Sequence, residues 1–181
     1  MSTETAQGRK LTYADYVQIP EDGYWHEIID GVHFVNPTPN LYHQTVSRRL
    51  QFLLYSQIEQ HGLGQVFDAP CDVQLAANDI LQPDLIVVLT QKRHILTPTK
   101  IKGTPDLIVE IVSPSTESRD RELKRERYQE AGVPEYWIVD PLEHTVEQLV
   151  LRDGVYHLQP ASDVLQPTIL DGITVRLQEV W

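Results

Sequence analysis

Two short apolar segments carry acids that could do chemistry. QPDLIVVL (82–89) and TPDLIVEI (104–111) are nearly the same string, and the second holds Glu110 inside a Val/Ile-rich run. A carboxylate in such a run is costly unless something pairs with it. Residues two apart on a strand share a face, so Asp84, Ile86 and Val88 share one, and Asp106, Ile108, Glu110 and Val112 share another. Asp106 and Glu110 would stand roughly 13 Å apart along their strand, too far to hold one ion together. Asp84 comes from a different strand and can lie beside Glu110. The expected pair is therefore Asp84 with Glu110, and Asp106 is a strand-opening residue. Two carboxylates ~5 Å apart repel by about 3 kcal/mol at an effective dielectric of about 20. Either one takes up a proton or a cation sits between them. Two oxygen donors suit magnesium, which keeps several waters and completes its shell with substrate phosphate. The competing expectation is Glu110 at a sheet edge, reaching out to water.

The helix that follows supplies a cation. Asp120, Lys124 and Tyr128 recur every four residues and so share one face. Beside metal-bound water, Lys124 could orient that water or stabilise charge on a phosphate. Alternatively, Asp120 and Lys124 form a solvated surface pair of little energetic weight. His43 is a second candidate, as a proton carrier facing the acids or as a partner for the exposed first turn of its own helix. The loop Ser113–Thr116 could offer hydroxyls and helix-end amides to a phosphate, or simply cap the helix.

Those acids need strands and helices to position them. A capping box of Thr12 and Asp15 predicts a short opening helix. WHEIIDGVHFVNP reads as a β-hairpin turning at Asp30-Gly31, and TVEQLVLRDGVYHLQ as another turning at Asp153-Gly154. Asn40 is placed to cap a long helix whose apolar positions Val46, Leu50, Leu53, Leu54 and Ile58 form one stripe. Strands are expected at 65–68, 72–75, 83–89, 105–112 and across VPEYWIVD, with a basic loop at 91–102. A helix over 118–131 ends at Gly132. The prediction is an α/β fold, a mixed and highly twisted sheet flanked by helices. At 181 residues this is one domain, 11–181, preceded by a flexible N-terminal tail, 1–10.

Charge and composition narrow the function. The net charge of 15 − 26 = −11 argues against a generic nucleic-acid binder. Local charge runs the other way: 91–102 holds four Lys/Arg and no acid, and 119–127 holds five. No run approaches the ~20 apolar residues of a membrane helix, and the N-terminus has no secretory pattern. The single cysteine, Cys71, excludes an internal disulfide framework and points to a reducing cytoplasm. It has no activating partner in the sequence and reads as a small buried apolar residue.

PDLIVV, TPDLIVEIVSPST and RDRELKRERYQEAGVPEYWIVDP together resemble the Uma-two-type endonuclease family, within the PD-(D/E)XK restriction-endonuclease-like superfamily. The N-terminal HEIIDG, the helix near His43 and the C-terminal Asp-Gly hairpin fit as well. The resemblance implies a restriction-endonuclease-like mixed β-sheet flanked by helices, with N- and C-terminal β-hairpins. It also implies a nuclease using Mg2+ or Mn2+, with Asp84 and Glu110 as metal ligands and Lys124 as a relocated catalytic lysine. The third position of the E-x-K motif is Val112, which cannot act in that role. Glu27, in HEIIDG, resembles a family glutamate that enters the site from the first hairpin; a buried structural role is the competing reading.

The function expected is thus Mg-dependent hydrolysis of phosphodiester bonds in a nucleic acid, DNA before RNA. The 91–102 loop and the 118–131 helix are expected to touch the backbone. Open strand edges and the acidic total leave room for a homodimer. A non-catalytic interaction protein that keeps the nuclease fold is the alternative, favoured by Val112 and the acidic surface. A metal-free acid–base hydrolase using the same two acids ranks last, because few aromatics are available to line a sugar groove.

Overall fold

Turn chemistry and apolar periodicity set the order of elements. The computed structural model describes residues 9–181. The expected tail lies outside the described residues up to position 8; Arg9 pairs with Asp15 at 2.7 Å, and the Leu11 N–H donates to Gly31 O at 2.9 Å. Helix α1 (Tyr13–Tyr16) is followed by β1 (Trp25–Ile29), β2 (Val32–Asn36) and α2 (Leu41–Leu54). β3 (Gly64–Asp68), β4 (Val73–Ala76), β5 (Asp79–Leu81), β6 (Leu85–Leu89), β7 (Ile101–Lys102) and β8 (Leu107–Ile111) come next. The second half holds α3 (Arg125–Glu130), β9 (Glu135–Asp140), β10 (Thr145–Arg152), β11 (Val155–Leu158), β12 (Val164–Leu165) and β13 (Val175–Arg176).

Both Asp-Gly hairpins form as expected. Asp30 and Gly31 take φ of 49° and 77°, and Asp153 and Gly154 take 51° and 80°. Positive φ at both central residues gives the turn whose twist matches the flanking strands. Asn40 caps α2 by accepting from the His43 N–H at 2.9 Å. The helix does not stop at Leu54 but widens into looser turns over Tyr55–Glu59. A similar widened turn, Arg119–Lys124, leads into α3; such turns rotate the side chains that follow them relative to a regular helix.

Instead of the one sheet expected, two sheets form, with a small ribbon of β12 and β13. A six-stranded sheet has the order β11-β10-β9-β8-β6-β3, parallel between β8 and β9 and antiparallel elsewhere. A five-stranded sheet runs β2-β1-β5-β4-β7. Strand β5, absent from the sequence reading, turns back from β4 at Ala77-Asn78. Its three residues are too few to show a period.

The large sheet is covered on both faces, so its central strands are apolar throughout. One face packs Leu85, Val87, Leu107, Val109 and Ile111 against the α2 stripe Val46, Leu50, Leu54 and Ile58. Ile108, Val112, Tyr136 and Ile138 on the other face meet Tyr128 and the first hairpin's Ile29. Glu110 sits on this second face of β8, between two paired strands. The sheet-edge placement is thereby corrected. Asp106 opens β8 and is consumed there: it accepts from the Leu89 N–H at 2.7 Å and pairs with Lys92 at 3.2 Å.

Glu135, fully buried, ties the C-terminal segment to the sheet. Its two oxygens accept from Trp137 Nε1 (2.6 Å), Gln148 Nε2 (2.7 Å), and the Thr168 N–H and Oγ1 (2.6 and 2.8 Å). Glu135→Ala strands these donors without acceptors, so a loss of roughly 3 kcal/mol or more is expected. Urea denaturation measures it; a loss below about 1 kcal/mol would contradict a fastening role.

Candidate active site

The strand pairing places the two acids together. β6 and β8 pair antiparallel with Leu85 opposite Val109, and Asp84 is the next residue outward. It therefore stands across from Glu110, as the sequence predicts. Asp84 Oδ2 accepts from the Ile111 N–H at 2.7 Å and lies 3.3 Å from His43 Nε2. Glu110 Oε1 accepts from Lys124 Nζ at 2.9 Å and from the Tyr128 hydroxyl at 2.6 Å. One oxygen of each acid is thus engaged, while Asp84 Oδ1 and Glu110 Oε2 have no hydrogen-bond partner among the described residues.

Lys124 is the centre of charge. It is 2% exposed, and its amine also lies 3.0 Å from Glu27 Oε1 and 3.5 Å from Asp120 Oδ1. The surface ion pair considered for Asp120 and Lys124 is overturned: both are buried. Burial opposes the ammonium, but Glu110, Glu27 and Asp120 outweigh it and hold the lysine charged. For Glu110 burial dominates, and the neighbouring acids add to it, so its pKa rises well above the carboxylate range despite Lys124. Asp120 is raised for the same first reason, burial. At Glu27 burial loses to Lys124 and Arg119, and its pKa is lowered.

Glu27 enters from β1, fully buried, with Oε1 also accepting from the Gln82 N–H at 2.8 Å. His43 projects from the first turn of α2, and its Nε2 lies 2.9 Å from Ile111 O. Burial pulls the imidazole pKa down, and the hydrogen bond and charge of Asp84 push it up further than that. All five candidates, Asp84, Glu110, Lys124, His43 and Glu27, gather around one place. Four of them line a cleft of about 280 Å³, which Glu27 underlies through Lys124 and Gln82.

Sequence reasoning missed Tyr128 as an acid-holding group, although its four-residue spacing from Lys124 was visible. Arg119 was also missed; it donates to Asn36 Oδ1 and lies with its guanidinium 5.2 Å from the Phe34 ring centre. Other basic residues are not where they were expected. The 91–102 segment leaves the far end of β6 from Asp84, and none of its residues lines the cleft. Lys92 is bound to Asp106, and Lys100 lies over the Tyr13 ring. Arg121 pairs with Glu117, Asp140 and Glu147, and Arg127 with Asp30 and Glu130. Cys71 is half-buried, and burial with nearby Asp72 and Asp68 pushes its thiol up to about 11.

Could these residues hold a divalent ion? No group of three or more His, Cys, Asp or Glu among the described residues forms a metal cage. Two carboxylates with one open oxygen each suit an ion that keeps most of its waters, as magnesium does. Six buried side-chain polar atoms have no hydrogen-bond partner among the described residues, though Asp120 Oδ1 and Glu27 Oε2 lie within ion-pair reach of Lys124 and Arg119 respectively. Five of them, on Glu27, His43, Gln82, Arg119 and Asp120, surround this cleft. Buried polar atoms are normally satisfied, so the site has the unspent capacity of one built for water, ion or substrate.

The fold and site define a class, the restriction-endonuclease-like α/β proteins. A crystal structure described as "a putative nuclease belonging to DUF820", from Anabaena variabilis ATCC 29413, shares the architecture with a TM-score of 0.77. It is 18% identical, and the match covers 94% of this chain and 97% of that one. The family profile described as "Uma2: Putative restriction endonuclease" matches residues 13–178, and the chain belongs to that family. No curated protein matches the sequence. No helix among the described residues is long and apolar enough to cross a membrane.

Removing the buried cation should leave Glu110, Asp120 and Glu27 with Arg119 as the one cation close to the cluster among the described residues. Lys124→Met is expected to cost about 3–5 kcal/mol, as for one member of a buried pair. The loss should grow as pH rises. Glu110 and Asp120 have folded-state pKa values above their ordinary ones. Lys124 lowers both values, so without it they rise further, and the variant loses more stability than wild type as pH climbs above the ordinary carboxylate range. Thermal melts at about pH 5 and pH 8 test this; an equal loss at both would contradict it.

Proposed function

We propose that the protein is a metal-dependent nuclease that hydrolyses phosphodiester bonds, with DNA as the substrate before RNA. The observation that carries this reading is the pairing of Asp84 across from Glu110, each with one engaged and one open oxygen, lining one cleft. Asp84 and Glu110 would hold Mg2+ or Mn2+. Such an ion, when bound, polarises a phosphoryl oxygen and acidifies a coordinated water.

The chain's own residues do the rest. Lys124 and Tyr128 fix Glu110 through Oε1 and leave Oε2 without a hydrogen-bond partner among the described residues. The Ile111 N–H and His43 do the same for Asp84 through Oδ2. Two contacts of the Lys124 amine are held by Glu110 and Glu27. Asp120 faces the same amine at 3.5 Å, so Lys124 would act on the cleft it borders through its charge and through the hold it keeps on Glu110. This lysine thereby takes the place that Val112 leaves empty in the E-x-K pattern. When neutral, His43 can donate from Nε2 to the Ile111 carbonyl and take a proton at its unpartnered Nδ1, and Asp84 favours the charged form. Glu27 keeps Lys124 charged and in place and need not touch substrate.

Cleavage of labelled single- and double-stranded oligonucleotides with and without Mg2+ tests the reading. Wild type should cut only with metal, and Asp84→Ala and Glu110→Gln should each lower the rate at least ~100-fold while melting cooperatively. Calorimetric metal binding should weaken in both variants. Undiminished metal-dependent cleavage by Asp84→Ala would reject this site.

A further inference from the structure

A second cleft opens from the first and is not needed to hold the acids. It has a volume of about 520 Å³ and shares His43, Asp84 and Trp25 with the smaller one. One wall is a face of α2: His43, Ser47 and Gln51 recur every four residues, with Arg48 beside them. At 1.5 Å per residue that wall runs about 12 Å away from Asp84. Tyr24, just before β1, and Trp25, its first residue, also line it.

This lining is chemically specific. Arg48 makes no ion pair among the described residues, in a chain carrying a net charge of −11, whereas Arg9, Arg119, Arg121 and Arg127 pair with acids. Ser47, Gln51 and the Trp25 indole N–H likewise have no hydrogen-bond partner among the described residues. An unpaired guanidinium recognises phosphate. A flat aromatic wall takes a base by stacking, and free amides can meet its polar edge. In a duplex the base faces are already stacked and closed to such a wall.

We propose that this groove is the strand-binding arm of the active site, and that its ligand is a single-stranded segment of nucleic acid. A base lies against Trp25 and Tyr24, a neighbouring phosphate lies on Arg48, and the strand leads the next phosphate to Asp84. The proposal rests on the nuclease reading of the acid pair and deepens it by naming the substrate class. It also explains how so acidic a protein holds a polyanion: contact is confined to one walled groove instead of a basic surface.

Binding can be measured without cleavage. Fluorescence anisotropy in EDTA, with labelled strands of about ten nucleotides as single-stranded DNA, single-stranded RNA and hairpin duplex DNA, provides the first readout. Single strands of either sugar should bind at least ~10-fold tighter than the duplex. Trp25→Ala should weaken single-strand binding roughly 5- to 150-fold, the range for losing one stacked base, and Trp25→Phe should keep most of it. Arg48→Gln, on an exposed helix position, should lower the slope of log affinity against log salt by about 0.7. A merely structural Arg48 would leave that slope unchanged. Equal or tighter duplex binding, no binding, or an unchanged slope with unchanged affinity in Trp25→Ala overturns the proposal. Cleavage with Mg2+ in the same samples keeps the two readings apart. Metal-dependent cutting without single-strand preference removes the groove's role and leaves the acid pair, and selective binding without cutting does the reverse.

Discussion

The charge of Lys124 is the constraint on which the site depends. Three carboxylates, on Glu27, Glu110 and Asp120, are nearly or fully buried around one amine. Without it the interior would hold uncompensated negative charge, which folded proteins avoid by protonation or by unfolding. With it, and with Arg119 beside Glu27, the acids are held in place, while burial raises the pKa of Glu110 and Asp120 and Asp84 stands close by. Asp84 and Glu110, each with one open oxygen, line the cleft. A divalent cation there would complete the charge balance that the fold leaves unfinished.

Geometry comes from three elements with separate reasons to form. Antiparallel pairing of β6 with β8 sets Asp84 across from Glu110. The twisted hairpin at Asp30-Gly31 carries Glu27 inward on β1. The widened turn over Arg119–Lys124 places Asp120 and Lys124 on the sheet side, above Tyr128. Each element is anchored by apolar packing away from the site, so the polar cluster need not provide its own stability. Such division allows a site to keep unsatisfied polar atoms that would otherwise count against the fold.

Local order was legible wherever a residue type has a single conformational use. The two Asp-Gly turns, the Asn40 cap and the α2 stripe all follow from short-range rules. So did the pair Asp84 and Glu110, since the rise along one strand puts Asp106 roughly 13 Å from Glu110. Long-range partition was not legible. Nothing local says that β1 joins β5 and not the larger sheet, or that Lys124 is buried beneath the hairpin. A four-residue Asp–Lys spacing reads the same on a solvated helix and on a covered one. The basic 91–102 segment misled because charge in sequence carries no information about which end of β6 it will occupy. Arg48 and Trp25 were missed because a single arginine and a single indole, 23 residues apart, have no spacing to recognise.

The most direct test of the account is a crystal of the protein soaked in Mn2+ together with a short oligonucleotide, read by anomalous diffraction. The prediction is a manganese peak held by Asp84 and Glu110, with Lys124 and Tyr128 still on Glu110 Oε1. A peak that displaces Lys124 from Glu110, lies elsewhere, or is absent with the strand bound in the cleft would contradict it.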